Sequence, residues 1–297
     1  MSGVLSDISE QRLREFAERA RWYHTFDLGH GILTRGTYDL RPYVPAHHFP
    51  ASLEGKTVLD VAASDGFYSF ELERRGAASV LAVDTNLYDG SVAFDPSPAK
   101  MAAYDKKYDE YRTDYEEFKD IYSLVGLQGS NKLIVMRDFL GSKVQYKTHS
   151  VYELEKLNAT FDLVFCGALL EHLKDPLTAL EQLRAVSREV CIITVSSSLP
   201  TSRYDPATLR MRLALGVLHV LGVRREFSLN ARERVIHYAG NWAGGSFFHL
   251  HPVTFREMAL ASGFEEAIAV DQFDVFSTRV KILNHYTVFH CFVRTPR

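Results

Sequence analysis

Carboxylates at strand ends and histidines near turns are the residues of this chain whose types and spacing suggest chemistry. Asp60 lies in the apolar run "TVLDV", the turn "AASDG" follows, and Asp84 closes a second apolar run, "VLAVD", 24 residues after Asp60. In a strand–turn–helix connection, small residues let a ligand approach the backbone, and the turn's N–H groups point at it. Ala62, Ser64 and Gly66 stand where a dinucleotide fingerprint would carry three glycines. A pyrophosphate needs that open, glycine-rich version. A sulfonium amino acid brings no phosphate and tolerates alanine and serine better. Asp60 suits a positively charged ligand, or an anchor for the turn's own N–H groups. Asp84 suits a ribose, because one carboxylate accepts both hydroxyls in a bidentate pair. Either acid alone reads equally as a loop cap; together, in this order, they point to a nucleoside cofactor. Candidate proton acceptors are His24 and His30 in an N-terminal aromatic loop, Glu171 and His172 after "FDLVFCGALL", and His249 and His251 in "FHLHP".

Such groups need a rigid frame, and the chain supplies an α/β alternation. Periodicity predicts strands at 57–62, 79–84, 143–148, 161–166, 190–196, 267–276 and 285–293, with helices at 66–75, 131–140, 175–188 and 253–262. That order implies a doubly wound, mostly parallel sheet of seven strands. Residues 1–50 read as an N-terminal helical cap and substrate loop. Their helix is expected over 7–21, capped by Asp7, with Leu13, Phe16, Ala17 and Ala20 on one face. Residues 51–297 form the cofactor-binding domain, interrupted by insertions at 86–130 and 197–246. Insertions of that length often serve enzymes as lids. In the first, Tyr104, Tyr108, Tyr111, Tyr115, Phe118 and Tyr122 recur at helical spacing, a stripe for packing on the domain or on a second copy in a homo-oligomer. The second is basic, with Arg203, Arg210, Arg212, Arg224, Arg225, Arg232 and Arg234 around a helix expected at 205–221.

Composition narrows the classes. The chain has 297 residues, 46% apolar and 24% charged, as ordinary globular domains do. No apolar run approaches the ~20 residues that cross a bilayer, and "MSGVLSDISEQRLREF" has no signal core. The expectation is a cytoplasmic protein without a membrane partner. A net charge of −3 weakens a nucleic-acid reading, though a local basic patch stays open. Cys166, Cys191 and Cys291 form no CxxC and sit in apolar strand segments, as buried free thiols do.

"VLDVAASDG" resembles the first, glycine-rich motif of class I S-adenosylmethionine-dependent methyltransferases, and "AVDTN" resembles the segment carrying their ribose acid. "KTHSVYEL" at 147–154 is similar to the segment beside adenine, which would assign Val151 and Tyr152 to the base. "FDLVFCGALLEHLKDPLTAL" at 161–180 is similar to the fourth-strand motif, which would put Cys166, Gly167 and Ala168 beside the cofactor. No single motif is specific; four in register are. The resemblance runs from about Gly55 to Gly263, and "QFDVFSTRV" and "HYTVFHCFV" fit the closing antiparallel edge.

"WYHTFDLGHGILTRGTYD" and "HPVTFREMALASGF" resemble more narrowly the enzymes that modify the tRNA wobble 5-hydroxyuridine and their relatives. The wobble enzymes transfer a carboxymethyl unit, holding the extra carboxylate with a Lys in the N-terminal loop and a Tyr after the fourth strand. Here "RWYHTFD" has no Lys, Leu170 stands at the Tyr position, and Arg21 is the adjacent cation. The resemblance therefore implies S-adenosyl-L-methionine itself and methyl transfer to a small-molecule acceptor, most simply a hydroxyl. A tRNA methyltransferase using the basic insertion ranks second, and a non-catalytic binding or scaffold homologue third.

Methyl transfer is an in-line displacement in which the protein aligns the partners and often supplies a base. His251 is expected in that role, because "GGSFFHLHPVTF" returns over the strand ends and Pro252 suits the first turn of the next helix. His24 and His249 follow. Glu171, His172 and the HxH at 249–251 also resemble part of the metal site of small-RNA 2′-O-methyltransferases. Ala168 replaces the second carboxylate of that pattern, so a divalent metal is not favoured. Trp22, Tyr23, Trp242, Phe247 and Phe248 are candidates for the acceptor wall or for core packing.

Overall fold

A computed structural model describes residues 8–85, 109–196, 236–241, 246–278 and 283–294; within these, the side chains of 236–247, 249 and 283 are not described. Seven strands form the central sheet: β3 (Thr57–Val61), β4 (Ser79–Asp84), β5 (Gln145–Thr148), β6 (Phe161–Gly167), β7 (Ser187–Ser196), β10 (Glu266–Phe276) and β11 (Leu283–Phe292). Their order is β10-β11-β7-β6-β3-β4-β5. Strands β3 to β7 pair in parallel, and β11 runs antiparallel between β7 and β10. This is the doubly wound α/β fold the alternation implies. The apolar runs follow from burial on both faces. Period two sends Val58, Leu163, Phe165, Ile192 and Val288 into one core, and Leu59, Val61, Val164, Cys166, Cys191, Ile193 and Phe289 into the other.

Helices α2 (Phe67–Arg74) and α4 (Lys132–Leu140) cover the first face, joined by α1 (Glu10–Arg19) from the N-terminus. Helices α5 (Pro176–Val186) and α6 (Pro252–Ala261) cover the second. Their starts follow local sequence: Asn131 Oδ1 accepts from Ile134 N at 3.3 Å, and Asp175 Oδ1 accepts from Thr178 N at 3.0 Å behind Pro176. For α1 the cap is Ser9, whose Oγ accepts from Arg12 N at 3.2 Å; Asp7 lies outside the described residues.

The N-terminal loop is more ordered than its composition suggests. It contains a parallel pair, β1 (Trp22–His24) with β2 (Gly36–Tyr38). Gly36 permits that pairing, since a Cβ there would lie 2.3 Å from the carbonyl carbon of His24. A short hairpin, β8 (Ile236–Asn241) with β9 (Ser246–Leu250), was not legible from periodicity, because "IHYAGN" shows no sustained alternation.

Part of the aromatic stripe is internal. The chain is helical over 109–117, breaks at Phe118 (φ −118°, ψ 27°), and resumes as α3 (Lys119–Leu124). Phe118 and Tyr122 are fully buried against Phe16 of α1, with ring centroids 5.1 and 5.8 Å away. Beneath them, Asp114 Oδ2 accepts from Lys132 Nζ at 2.5 Å and Tyr122 Oη at 2.5 Å, while Oδ1 accepts from Arg21 N at 2.7 Å. This buried ion pair ties the first insertion to α4 and to the N-terminal cap. Tyr104, Tyr108, the arginines of the second insertion and the helix expected at 205–221 lie outside the described residues. No helix among the described residues is long and apolar enough to cross a membrane.

Candidate functional site

Strand parity places the cleft. Asp60 pairs with Phe165, Gly167 with Thr194, and Phe273 with Tyr286 across neighbouring strands of one sheet face. That row floors a cleft of about 580 Å³, lined also by the 62–64 turn and Ala168, and walled by Tyr23, His24, Tyr38, His47 and Tyr68. It lies where β3 and β6, neighbours in the sheet, send their connections to opposite sides, the usual ligand crevice of an open α/β sheet.

The turn after β3 is held in left-handed backbone at Ala62 (φ 61°), Ser64 (φ 53°) and Gly66 (φ 84°). Its N–H groups are largely engaged. Ala62 N and Ala63 N donate to Val83 O at 2.8 and 3.2 Å, Ser64 N donates to Asp84 Oδ2 at 2.6 Å, and Gly66 N donates to Ala63 O at 2.8 Å. These four donors are already engaged, and a cofactor without phosphate asks for none of them. Gly66 also serves packing: a Cβ there would lie 2.8 Å from the Phe70 ring and 2.9 Å from Leu133.

Both predicted acids stand at this turn. Asp84 clamps it through Ser64 N, and its Oδ1 accepts from Thr85 N at 2.7 Å. Burial pushes its pKa up to about 6 against these hydrogen bonds. Each of its oxygens keeps a second lone pair for a hydroxyl. Asp60 anchors α2 rather than the turn's N–H groups, accepting from Ser69 Oγ at 2.5 Å. Burial, with the nearby charge of Asp84, raises its pKa to about 7. Two carboxyls held reluctantly ionised suit a cationic ligand.

Beside them stands a His–Asp pair. Asp65 is 2% exposed; its Oδ2 accepts from His24 N at 2.7 Å and Tyr23 N at 3.2 Å, and its Oδ1 contacts His24 Nδ1. One carboxylate thus fastens β1 to the cofactor turn and orients the imidazole on the cleft wall. With Nδ1–H donating to Asp65, Nε2 is the basic atom. The wall behind is fixed by His47, whose Nδ1 donates to Tyr43 O at 3.1 Å and whose Nε2 accepts from Tyr68 Oη at 3.1 Å. Burial lowers the pKa of His47 to about 4, so that ring is neutral.

The remaining sequence candidates fall elsewhere. His251 is the N-cap of α6, and its Nδ1 accepts from Val253 N at 3.2 Å. It does not line the cleft, which corrects the expectation that its imidazole faces the acceptor. His30 is exposed at a loop tip with φ 52°, and the side chain of His249 is not described. Cys166 points into the core behind β6, opposite Phe165, and burial raises its thiol pKa well above the usual value. The adjoining Gly167 and Ala168 do line the cleft. Val151 and Tyr152 sit in the 3₁₀ turn after β5; Val151 is buried, and Tyr152 Oη accepts from Asp175 N at 3.3 Å. Glu171 is 2% exposed and its pKa is raised by burial to about 7. Among the described residues, no group of three or more His, Cys, Asp or Glu could hold a metal ion. Trp22 is core, donating from Nε1 to Phe16 O at 3.1 Å, and Phe248 packs against the second core; Trp242 and the side chain of Phe247 lie outside the description.

Sequence reasoning missed Asp65, His47, Tyr38, Tyr68, Thr194 and the aromatic row of β10 and β11. Parity along strands of known register would have found Thr194 and Tyr286. Residues 37–267 match the methyltransferase domain family. The chain belongs to that family. The membership agrees with the enzyme class expected from the sequence, a methyltransferase. This methyltransferase is also 26% identical over 134 residues to a tRNA U34 carboxymethyltransferase from Nautilia profundicola (strain ATCC BAA-1463 / DSM 18972 / AmH), a match covering 45% of the chain and 31% of that relative. The chain therefore spans about a third of the curated relative it matches. Its fold is similar to two crystal structures of the N-terminal domain of EvdMO1, each with a TM-score of 0.53. One contains SAH and D-fucose (16% identity, 96% of this chain and 95% of that one), and the other contains SAH (14% identity, 97% and 98%).

Proposed function

We propose that this methyltransferase moves the methyl group of S-adenosyl-L-methionine to a hydroxyl of a small-molecule acceptor, with His24 as general base. The observation that carries the reading is the His24–Asp65 pair, fastened to the cofactor turn and set in the cleft wall. The residues that would hold the cofactor are the 62–66 turn, Asp84 at the ribose, Val151 and Tyr152 at the base, and Gly167 and Ala168 along β6. When bound, the cofactor supplies an activated methyl on a cationic sulfur. Asp60 and Asp84 balance that charge. His24 Nε2 would take the proton of the acceptor hydroxyl, and Asp65 would steady the resulting imidazolium, a division of labour general to His–Asp pairs.

His24→Ala is expected to lower kcat by about 10²–10⁴-fold, the usual worth of a general base, with S-adenosylhomocysteine affinity by calorimetry little changed. Asp65→Asn should impair turnover too, and should also lower the melting temperature, because Asp65 fastens β1. Normal turnover by folded His24→Ala would place the base elsewhere. The 134-residue match to a tRNA-modifying relative keeps tRNA as the second reading. Competition by bulk tRNA for the methylation activity at physiological salt would bring it to the front.

A further inference from the structure

The part of the cleft over β7, β10 and β11 holds a polar atom that no described protein group meets. Thr194 Oγ1, on a residue 3% exposed, lines the cleft without a hydrogen-bond partner. Glu171 Oε2, on a residue 2% exposed, also lacks one. The carboxyl of Glu171 adds to the burial that raises the pKa values of Tyr38 and Tyr286. Buried polar atoms left unmatched are costly, and they recur where a ligand completes them. The Thr194 hydroxyl, which both donates and accepts, calls for a polar group of the ligand.

Flat apolar faces surround this hydroxyl. Phe273 and Tyr286 lie with ring centroids 5.4 Å apart at 32°, and Tyr43 stacks on Phe273 at 5.2 Å, holding it in place. Tyr38 and Phe165 complete the enclosure. No Lys or Arg lines the cleft among the described residues, and Asp60 confronts any anion. An acceptor carrying a carboxylate or phosphate would therefore be desolvated against like charge.

We infer that the acceptor is an uncharged, hydroxylated planar ring, with one hydroxyl at His24 and a second polar group at Thr194 Oγ1. The ring is held by Tyr38, Phe273 and Tyr286, as aromatic side chains hold flat ligands. This inference rests on the methyl-transfer reading of the same cleft.

Calorimetry on the full chain at pH 7, saturated with S-adenosylhomocysteine, tests it with three probes: 2,3-dihydroxynaphthalene, its near-isosteric anion 3-hydroxy-2-naphthoate, and D-fucose as an aliphatic polyol. The diol should bind at least about tenfold more tightly than either of the others, as a site built around hydrogen-bonding groups discriminates. Thr194→Val, which keeps the shape and removes the hydroxyl, should weaken the diol about fivefold while leaving S-adenosylhomocysteine affinity unchanged. The inference is overturned if S-adenosylhomocysteine binds yet naphthoate or fucose matches the diol, or if Thr194→Val binds the diol as wild type does. If S-adenosylhomocysteine itself fails to bind, the methyl-transfer reading falls, and the inference with it.

Discussion

The two ends of the cleft are made of different materials. At the β3–β4 end, backbone and carboxylates do the work: the turn's N–H groups are engaged by Val83 O and Asp84, and Asp60 is bound to Ser69. At the β7–β11–β10 end, aromatic rings enclose space beside Thr194 Oγ1, unmatched among the described residues. A site whose protein groups satisfy one another is rigid before any ligand arrives, and suits one invariant cofactor. An end with unmet polar atoms takes its selectivity from the ligand that meets them. Under the proposed function, cofactor recognition is preorganised in the backbone, while acceptor recognition is written in side chains.

The largest effect that probes this contrast belongs to Asp84. Asp84→Ala removes both the ribose acceptors and the clamp on Ser64 N, so S-adenosyl-L-methionine should bind about 1.5–3 kcal/mol more weakly by calorimetry. Binding of the diol probe to the S-adenosylhomocysteine-saturated variant should survive. Equal loss at both ends would show that they are not separate.

A smaller effect follows from protonation. Burial raises Asp60 from its usual 3.8 to about 7 and Asp84 to about 6. Both ionise as pH rises from 6 to 8, which favours the cationic sulfonium over the neutral thioether. The ratio of S-adenosyl-L-methionine to S-adenosylhomocysteine affinity should therefore rise by about three- to tenfold over that interval. The sign for folding is opposite. Between about pH 4 and 7 the folded state binds more protons than the unfolded one, so Asp60 makes the ligand-free protein less stable as pH rises. Urea denaturation of wild type and Asp60→Asn should show the wild type losing ground across that window. A flat ratio and a flat difference would remove Asp60 from the cofactor's electrostatics.

The smallest effect is expected outside the cleft. His251→Ala removes a helix cap and should cost about 1 kcal/mol of stability while leaving kcat unchanged. A large loss of turnover in a normally melting variant would return His251 to the site.

Legibility varied along the chain for physical reasons. The seven sheet strands and the helices expected at 66–75, 131–140, 175–188 and 253–262 were readable because strands buried on both faces and capped helices carry strong local signals. Asp60 and Asp84 were readable from their place at strand ends. His24 was visible as a candidate, but Asp65 was not, since nothing local tells a turn aspartate which distant backbone it will hold. His251 misled for the opposite reason: its position beside Pro252 predicted the cap correctly, but a cap oriented by Val253 N has its imidazole turned to the helix. The β1–β2 pair was hidden because its three-residue strands are stabilised by Asp65 and Gly36 packing, not by their own sequence.

By itself the sequence determined the α/β order, the two-sided burial of the parallel strands, the helix starts, and the small-residue turn between two acids. These depend on interactions between residues close in the chain, or on average hydrophobicity, and are encoded wherever the residues stand. Tertiary structure alone decided that Asp65 would meet His24 across 41 residues, and that Phe165, Thr194, Tyr286 and Phe273 would share one floor. It also left Glu171 Oε2 and Thr194 Oγ1 without hydrogen-bond partners among the described residues. Register, strand order and the docking of the N-terminal cap set those outcomes, because they join segments whose own preferences say nothing of one another.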